Sequence, residues 1–172
     1  ASVSLNLSMR NLLDPELPDA VAALIVREGV DAGLLTLEIT EGALMADQDR
    51  VARTVARLRG LGVAVAIDDF GTGYTSLAYL SHLAVDEVKI DRSFVAGLFS
   101  DGSCAAIVGA TVELAHALGF SVVAEGVEDD ATSRRLAAAG VDALQGYFFA
   151  RPMAADDVPD WLEANAARVA VA

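Results

Sequence analysis

Residues 63–73 read VAVAIDDFGTG, and this stretch decides the predicted fold. Its apolar run contains no Pro and is typical of a strand that is buried on both faces. Asp68 and Asp69 end this strand, predicted at 63–69, and a loop with two glycines follows. An amphipathic pattern at 48–61 stops just before Gly62, which indicates a helix leading into the strand. The stretch therefore predicts one helix-and-strand unit with acids at the carboxyl end of its strand.

The same alternation runs along the rest of the chain. Candidate strands lie at 3–7, 35–40, 63–69, 87–91, 121–125 and 143–148. Helical patterns lie at 18–28, 48–61, 105–118, 131–139 and 156–167, with a short helix at 76–82. Repeated β/α units predict a parallel sheet, either an open doubly wound sheet or most of a barrel. A full (β/α)₈ barrel takes about 250 residues, so a barrel built from this chain would be about two units short.

Composition limits the location and the partners of the chain. Hydrophobic residues make up 54% of it, but no apolar run approaches the roughly 18 residues that span a bilayer. The single Cys104 excludes an internal disulfide and favours a reducing cytoplasm. A net charge of −13 argues against binding to duplex nucleic acid. Divalent cations held by carboxylates would still allow a small anionic ligand.

Polar side chains recur at the carboxyl ends of all the candidate strands. They are Asn6, Glu38, the pair Asp68 and Asp69, the pair Lys89 and Asp91, Glu125 and Gln145. In parallel β/α folds this edge of the sheet carries the active site. Each residue alone has an ordinary explanation as a helix-capping acid, a structural ion pair or a surface residue. Together on one edge, they indicate a functional site.

Three of these residues, Asn6, Glu38 and Asp68, offer only oxygen ligands, without a cluster of Cys or His. Such hard ligands favour Mg²⁺ or Mn²⁺ over zinc. Neighbouring Asp68 and Asp69 would point to opposite faces of a regular strand. We expect the chain to turn there, so that the pair serves two ions, an arrangement suited to phosphodiester hydrolysis. An aldolase with Lys89 as the Schiff-base former is an alternative that the neighbouring acids disfavour.

Short strings along the chain resemble, in order and spacing, the motifs of EAL-domain cyclic di-GMP phosphodiesterases. They are NLS at 6–8, LEITE at 37–41, DDFGTGY at 68–74, VKID at 88–91, AEGVE at 124–128 and QGY at 145–147. The resemblance implies a TIM-type (β/α) barrel, here a single partial domain over 1–172 with about six of the eight units. It also implies the opening of cyclic di-GMP to linear pGpG with two Mg²⁺ or Mn²⁺ ions.

The resemblance further implies a role for each matching residue. The implied metal ligands are Asn6, Glu38 and Asp68, with Asp69 and Asp91 at a second metal or its waters. The implied catalytic residues are Glu125 as general base, Lys89 near the water and the scissile phosphate, and Gln145, which orients water or a ligand. Glu41 would steady the loop at 69–74, which contributes to dimer contacts in the family, and Glu128 would lie near the substrate.

The Glu-Ala-Leu signature that names the family occurs nowhere in the chain, and EGAL at 41–44 is a different string in a different place. We therefore expect the chain to match the last three-quarters of the domain and its hydrolytic activity to be weakened. An open barrel would expose strand edges and apolar surface at 3–7 and at the final strand, which predicts a homodimer, strand exchange or poor solubility. A non-hydrolytic cyclic di-GMP-binding module is the alternative function. A sensory or diguanylate-cyclase domain is expected upstream in the parent protein.

Overall fold

The computed structural model describes residues 2–73 and 75–169, with side chains through residue 165, so Tyr74 of the predicted loop lies outside the described residues. Six parallel strands form one sheet and pair in the order in which they occur in the chain. They are β1 (Val3–Leu7), β2 (Leu35–Thr40), β3 (Ala64–Phe70), β4 (Glu87–Ile90), β5 (Ser121–Ala124) and β6 (Ala143–Leu144). The predicted parallel α/β sheet is confirmed.

Helices lie between successive strands, and a final helix follows the last strand. The longer ones are α2 (Leu17–Glu28), α4 (Gln48–Gly60), α7 (Gly102–Leu118), α8 (Asp130–Ala138) and α9 (Val158–Val169). The short ones are α1 (Met9–Leu12), α3 (Glu41–Leu44), α5 (Leu77–Leu80) and α6 (Arg92–Ala96). Three of the short helices, α1, α3 and α6, were not predicted, because a helix of four or five residues is too short to show a hydrophobic period. None of the helices in the described ranges is long and apolar enough to cross a lipid bilayer.

Aspartate caps and glycines fix the ends of the long helices. The Asp47 side chain accepts a hydrogen bond from the backbone N–H of Arg50 at 3.2 Å and starts α4. Asp101 does the same for Ser103 at 2.8 Å, which starts α7 three residues before the predicted boundary. Gly119 ends α7 with φ 82, a left-handed conformation that favours glycine.

The core lies between the sheet and the helices. Ile39, Ile67 and Val122 of the strands and Leu58 and Leu136 of the helices are completely buried. Each such side chain contributes about 1.5–3 kcal/mol through burial. This packing keeps the strands aligned, so that their carboxyl ends form one edge of the sheet.

The outer edge of β1 is one of two unpaired strand edges among the described residues, and that of β6 is the other. β1 pairs with β2 alone, and the described part of the chain supplies no strand on its other side. Val3 and Leu5 of this strand are 59% and 52% exposed. The sheet therefore ends in an apolar, unpaired edge.

The predicted last strand, 143–148, is wrong in length, because β6 ends at Leu144. Gly146 packs directly against the backbone of Val127, and a Cβ atom there would lie only 2.1 Å from the Val127 carbonyl oxygen. Phe149 and Ala150 then donate backbone hydrogen bonds to the Gly146 carbonyl, so the chain turns. Gln145 consequently lies just after the strand and not near the end of a longer one.

Candidate metal-binding active site

A buried lysine stands at the centre of the carboxyl edge of the sheet. Lys89 of β4 is only 3% exposed. Its Nζ atom lies 2.5 Å from Glu125 Oε1, 2.8 Å from Glu38 Oε1 and 3.6 Å from Asp68 Oδ1. Burial acts to lower the pKa of Lys89, but hydrogen bonds with Glu125 and Glu38 outweigh it and raise the pKa above its usual value. Lys89 is therefore a permanent positive charge shared by carboxylates from three other strand ends.

Three carboxylates converge next to this lysine. Asp68, Asp69 and Glu125 each offer an oxygen atom, and these atoms all lie within 4.8 Å of one another. The pairing of β3 with β4 shifts register between Ile67 and Phe70, and Asp69 adopts a φ of 55. This irregularity lets consecutive aspartates contribute to one group, which a regular strand would prevent.

The electrostatics of the group fit a bound cation. Asp68 Oδ1 is buried and has no hydrogen-bond partner among the described residues. Burial raises the pKa of Asp69, with Asp68 and Asp91 adding to the effect. Burial likewise raises the pKa of Glu125, against the opposing influence of Lys89. An all-oxygen donor set of this kind suits Mg²⁺ or Mn²⁺.

Two further residues of the predicted ligand set lie on the same edge. Asn6 of β1 is exposed and pairs in register with Glu38 of β2. Asp91 follows β4 and starts α6 by accepting a hydrogen bond from the Ser93 backbone N–H at 3.0 Å. Its carboxylate also interacts with that of Asp69. Asp91 therefore lies beside the cluster of Asp68, Asp69 and Glu125, while Asn6 lies beside Glu38 at the β1 side of the same edge.

Two more of the predicted site residues, Gln145 and Glu128, line cavities beside the carboxyl edge. Gln145 lines a cavity of about 680 Å³ together with Glu38 and Lys89. Its backbone carbonyl accepts a hydrogen bond from Val127 N–H at 3.0 Å. Glu128 is exposed and lines a second cleft of about 410 Å³ with Arg92, apart from the carboxylate group.

Glu41 holds the loop that follows β3. Its buried carboxylate accepts backbone hydrogen bonds from Gly71 at 3.0 Å, from Gly73 at 2.9 Å and from Thr75 at 2.8 Å. Gly73 approaches so closely that a Cβ atom would lie 2.8 Å from Glu41 Cδ. The carboxylate thus satisfies amides that no regular secondary structure pairs.

Sequence reasoning missed one acid inside the barrel-like interior. Glu87 of β4 lines the same cavity as Lys89, one layer further from the carboxyl edge. Burial raises the pKa of Glu87, although Lys89 opposes the shift. The signal was present, since residues two apart on a strand share a face.

Comparison with known proteins gives the family. The EAL domain family matches residues 1–152. The bifunctional diguanylate cyclase/cyclic di-GMP phosphodiesterase MucR of Pseudomonas aeruginosa is 40% identical over 157 residues, which are 91% of this chain and 23% of that protein. This chain thus spans less than a quarter of the length of that relative.

Solved structures agree with this match. The PaMucR phosphodiesterase in complex with c-di-GMP superimposes with a TM-score of 0.88 at 40% identity, over 91% of this chain and 64% of that one. BlrP1 of Klebsiella pneumoniae, bound to manganese and cyclic di-GMP, gives a TM-score of 0.81 at 31% identity, over 88% of this chain and 39% of that one. The predicted incomplete TIM-type barrel is confirmed by these neighbours. By sequence and by fold, the chain belongs to the EAL domain family.

Proposed function

We propose that the chain is part of a domain that hydrolyses cyclic di-GMP to linear pGpG with two Mg²⁺ or Mn²⁺ ions. The observation that carries the proposal is the convergence of Asp68, Asp69 and Glu125, with a buried Asp68 oxygen that lacks a hydrogen bond among the described residues. Lys89 offsets only part of the repulsion among these carboxylates with its single charge, and a bound cation would offset more of it. The phosphodiesterase MucR and the c-di-GMP bound to PaMucR support the substrate.

The chain's own residues would divide the work as follows. Bound cations would neutralise phosphodiester charge and lower the pKa of the attacking water. The proposed metal ligands are Asn6, Glu38, Asp68, Asp69 and Asp91. The proposed catalytic residues are Glu125, which takes the proton from water, Lys89, which adds positive charge beside the phosphate, and Gln145, which orients the water. Glu128 would contact the substrate from the rim, and Glu41 would steady the loop after β3.

A paired binding and turnover assay tests this proposal. We expect the 172-residue chain to bind Mn²⁺ in a calorimetric titration and to open cyclic di-GMP when Mn²⁺ is present. Asp68→Asn should weaken Mn²⁺ binding by about tenfold or more, because it removes one anionic ligand. Asp156→Asn, at an exposed position in a 3₁₀ turn, is the matched control and should bind as the parent chain does. Equal Mn²⁺ affinity for Asp68→Asn and the control would contradict the proposal.

A non-hydrolytic cyclic di-GMP-binding module is the second candidate. The ion pairs of Lys89 with Glu38 and Glu125 favour it, because they neutralise part of the carboxylate charge without a metal ion. Cyclic di-GMP affinity without pGpG formation in the same assay would support the module over the hydrolase.

Several predictions about the whole protein stay open to test. We propose that residues 1–172 act as one partial barrel domain, that the chain forms a homodimer and that it works in the cytoplasm. The two activities in the name of MucR support a diguanylate-cyclase domain elsewhere in the parent protein.

A further inference from the structure

Residues 41–48, which run from the start of α3 to the start of α4, hold the loop between β3 and α5 at two places. At the first place, Glu41 of α3 accepts hydrogen bonds from the backbone of Gly71, Gly73 and Thr75. At the second place, the Tyr79 hydroxyl of α5 donates to the backbone carbonyl of Gln48, the first residue of α4, at 3.0 Å. Both ends of the loop are therefore tied to the same neighbouring segment.

Tyr79 is built into this contact. Its ring is half-buried and packs against the hydrophobic core. Burial raises the pKa of its hydroxyl, and the nearby Asp49 and Asp47 raise it further. The hydroxyl therefore remains a hydrogen-bond donor throughout the neutral pH range.

The loop needs outside support. Asp69, in β3 just before the loop, has a φ of 55, a conformation that costs of order 1–3 kcal/mol for a residue other than Gly and persists only when its surroundings hold it. The helix after the loop, α5, is a single turn of four residues and is not stable by itself. The hydrogen bond that holds α5 therefore also restrains the loop that leads into it.

We propose that Tyr79 is a positioning residue for the cluster of Asp68, Asp69 and Glu125. Its hydroxyl ties α5 to the start of α4, and the loop between β3 and α5 thereby keeps Asp68 and Asp69 facing Glu125. This inference rests on the proposed function, since it treats those aspartates as metal ligands. The competing explanation is that Tyr79 contributes only to general stability.

Tyr79→Phe separates the two explanations, because it removes the hydroxyl and keeps the packed ring. The matched control is Ser81→Ala, at the end of the same helix. It removes a hydroxyl that donates a hydrogen bond of 2.9 Å to the Ala78 carbonyl and that does not link α5 to α4. Two quantities are measured for each variant of the 172-residue chain. They are the amide hydrogen exchange rates by NMR and the Mn²⁺ affinity by calorimetry.

We expect Tyr79→Phe to speed exchange at Gly71, Gly73 and Thr75 and to weaken Mn²⁺ binding, each by about two- to tenfold, the effect of one lost hydrogen bond. Amides of β4 and β5 should exchange at the parent rate, and Ser81→Ala should change neither quantity. Unchanged loop exchange in Tyr79→Phe, or equal acceleration across the whole sheet, would overturn the inference. If the parent chain binds no Mn²⁺, the proposed function fails, while the exchange rates still decide whether Tyr79 holds the loop.

Discussion

At the scale of single residues, the charge balance of the site depends on Lys89. Its ammonium group is enclosed and bridges Glu38, Asp68 and Glu125. A buried ion pair that loses one partner leaves an uncompensated charge in a poorly hydrated place. Loss of the Lys89 ammonium group is therefore expected to destabilise the metal-free protein.

Lys89→Met tests this dependence. We expect it to lower the free energy of unfolding of the metal-free chain by about 3–5 kcal/mol, measured by urea denaturation. Added Mn²⁺ should recover part of the loss, since it would replace the missing positive charge. Arg134→Ala, which breaks an exposed pair with Asp130, is the control and should cost about 1 kcal/mol or less. A loss for Lys89→Met no larger than for the control would show that the cluster is well hydrated.

A second residue-scale prediction concerns Gly73. Gly73→Ala would place a Cβ atom 2.8 Å from Glu41 Cδ, so either the carboxylate or the loop must move. We expect a loss of about 1–3 kcal/mol in the free energy of unfolding, as for other overpacked positions. Gly102→Ala, where the space for a Cβ is open, should change stability by no more than about 1 kcal/mol. Similar values for the two variants would argue against a tight Glu41–Gly73 contact.

At the scale of helices and strands, local sequence patterns predicted most boundaries and failed where distant segments meet. The strands 3–7 and 35–40 have the predicted bounds, because apolar residues and their flanking breaks define them locally. The last strand is shorter than predicted because Gly146 packs against Val127, a contact that no local pattern reveals. The same reason explains why the bond from Tyr79 to Gln48, 31 residues away, was not predicted.

Two aspartates, each just before a strand, also make contacts between segments that are distant in the sequence. Asp86 accepts hydrogen bonds from the Val65 backbone at 2.9 Å and from Arg59 at 2.7 Å. Asp142 accepts from the Val122 backbone at 2.7 Å and bonds His116 Nε2 at 2.9 Å. Each carboxylate thus joins the strand that follows it to the previous strand and to the helix that leads into that previous strand.

The Asp142 contact predicts a dependence of stability on pH. Burial acts to raise the pKa of Asp142, but hydrogen bonds from His116 and Val122 outweigh it and lower the pKa below its usual value. The stabilisation is complete above the unfolded pKa of about 3.9 and is lost as the pH falls through the lower folded value. Asp142→Asn should therefore make the free energy of unfolding fall less steeply below about pH 4. Urea denaturation at a series of pH values measures this, with exposed Asp160→Asn as control. An unchanged slope for Asp142→Asn would show that the contact contributes no pH dependence.

At the scale of the whole molecule, the apolar edge of β1 is the main liability. Unpaired strand edges with exposed apolar side chains are templates for pairing with another chain. We expect the 172-residue chain to self-associate as its concentration rises, measured by sedimentation velocity. Leu5→Lys should shift the chain towards monomer, because a charge on the edge opposes such pairing. Val26→Lys, at a position on α2 that is 82% exposed, is the control. Equal effects of the two variants would place the association elsewhere on the surface.

The candidate site was predictable at this scale because every strand runs in the same direction. Polar residues at successive strand ends must then meet at one edge, whatever the details of packing. The close approach of Asp68 and Asp69 to Glu125 was not predictable, since the φ of Asp69 and the register shift in β3 arise from tertiary packing. The sequence therefore predicts which edge carries the site more reliably than it predicts the geometry there.

The pairing of each strand with the one before it in the chain has a consequence for synthesis. A strand that leaves the ribosome finds its hydrogen-bonding partner already made, and no late strand has to be inserted between two early ones. Short separations between partners also keep the entropy of loop closure small. The sheet from β1 to β6 can thus grow one strand at a time during translation, each strand adding to the one made just before it.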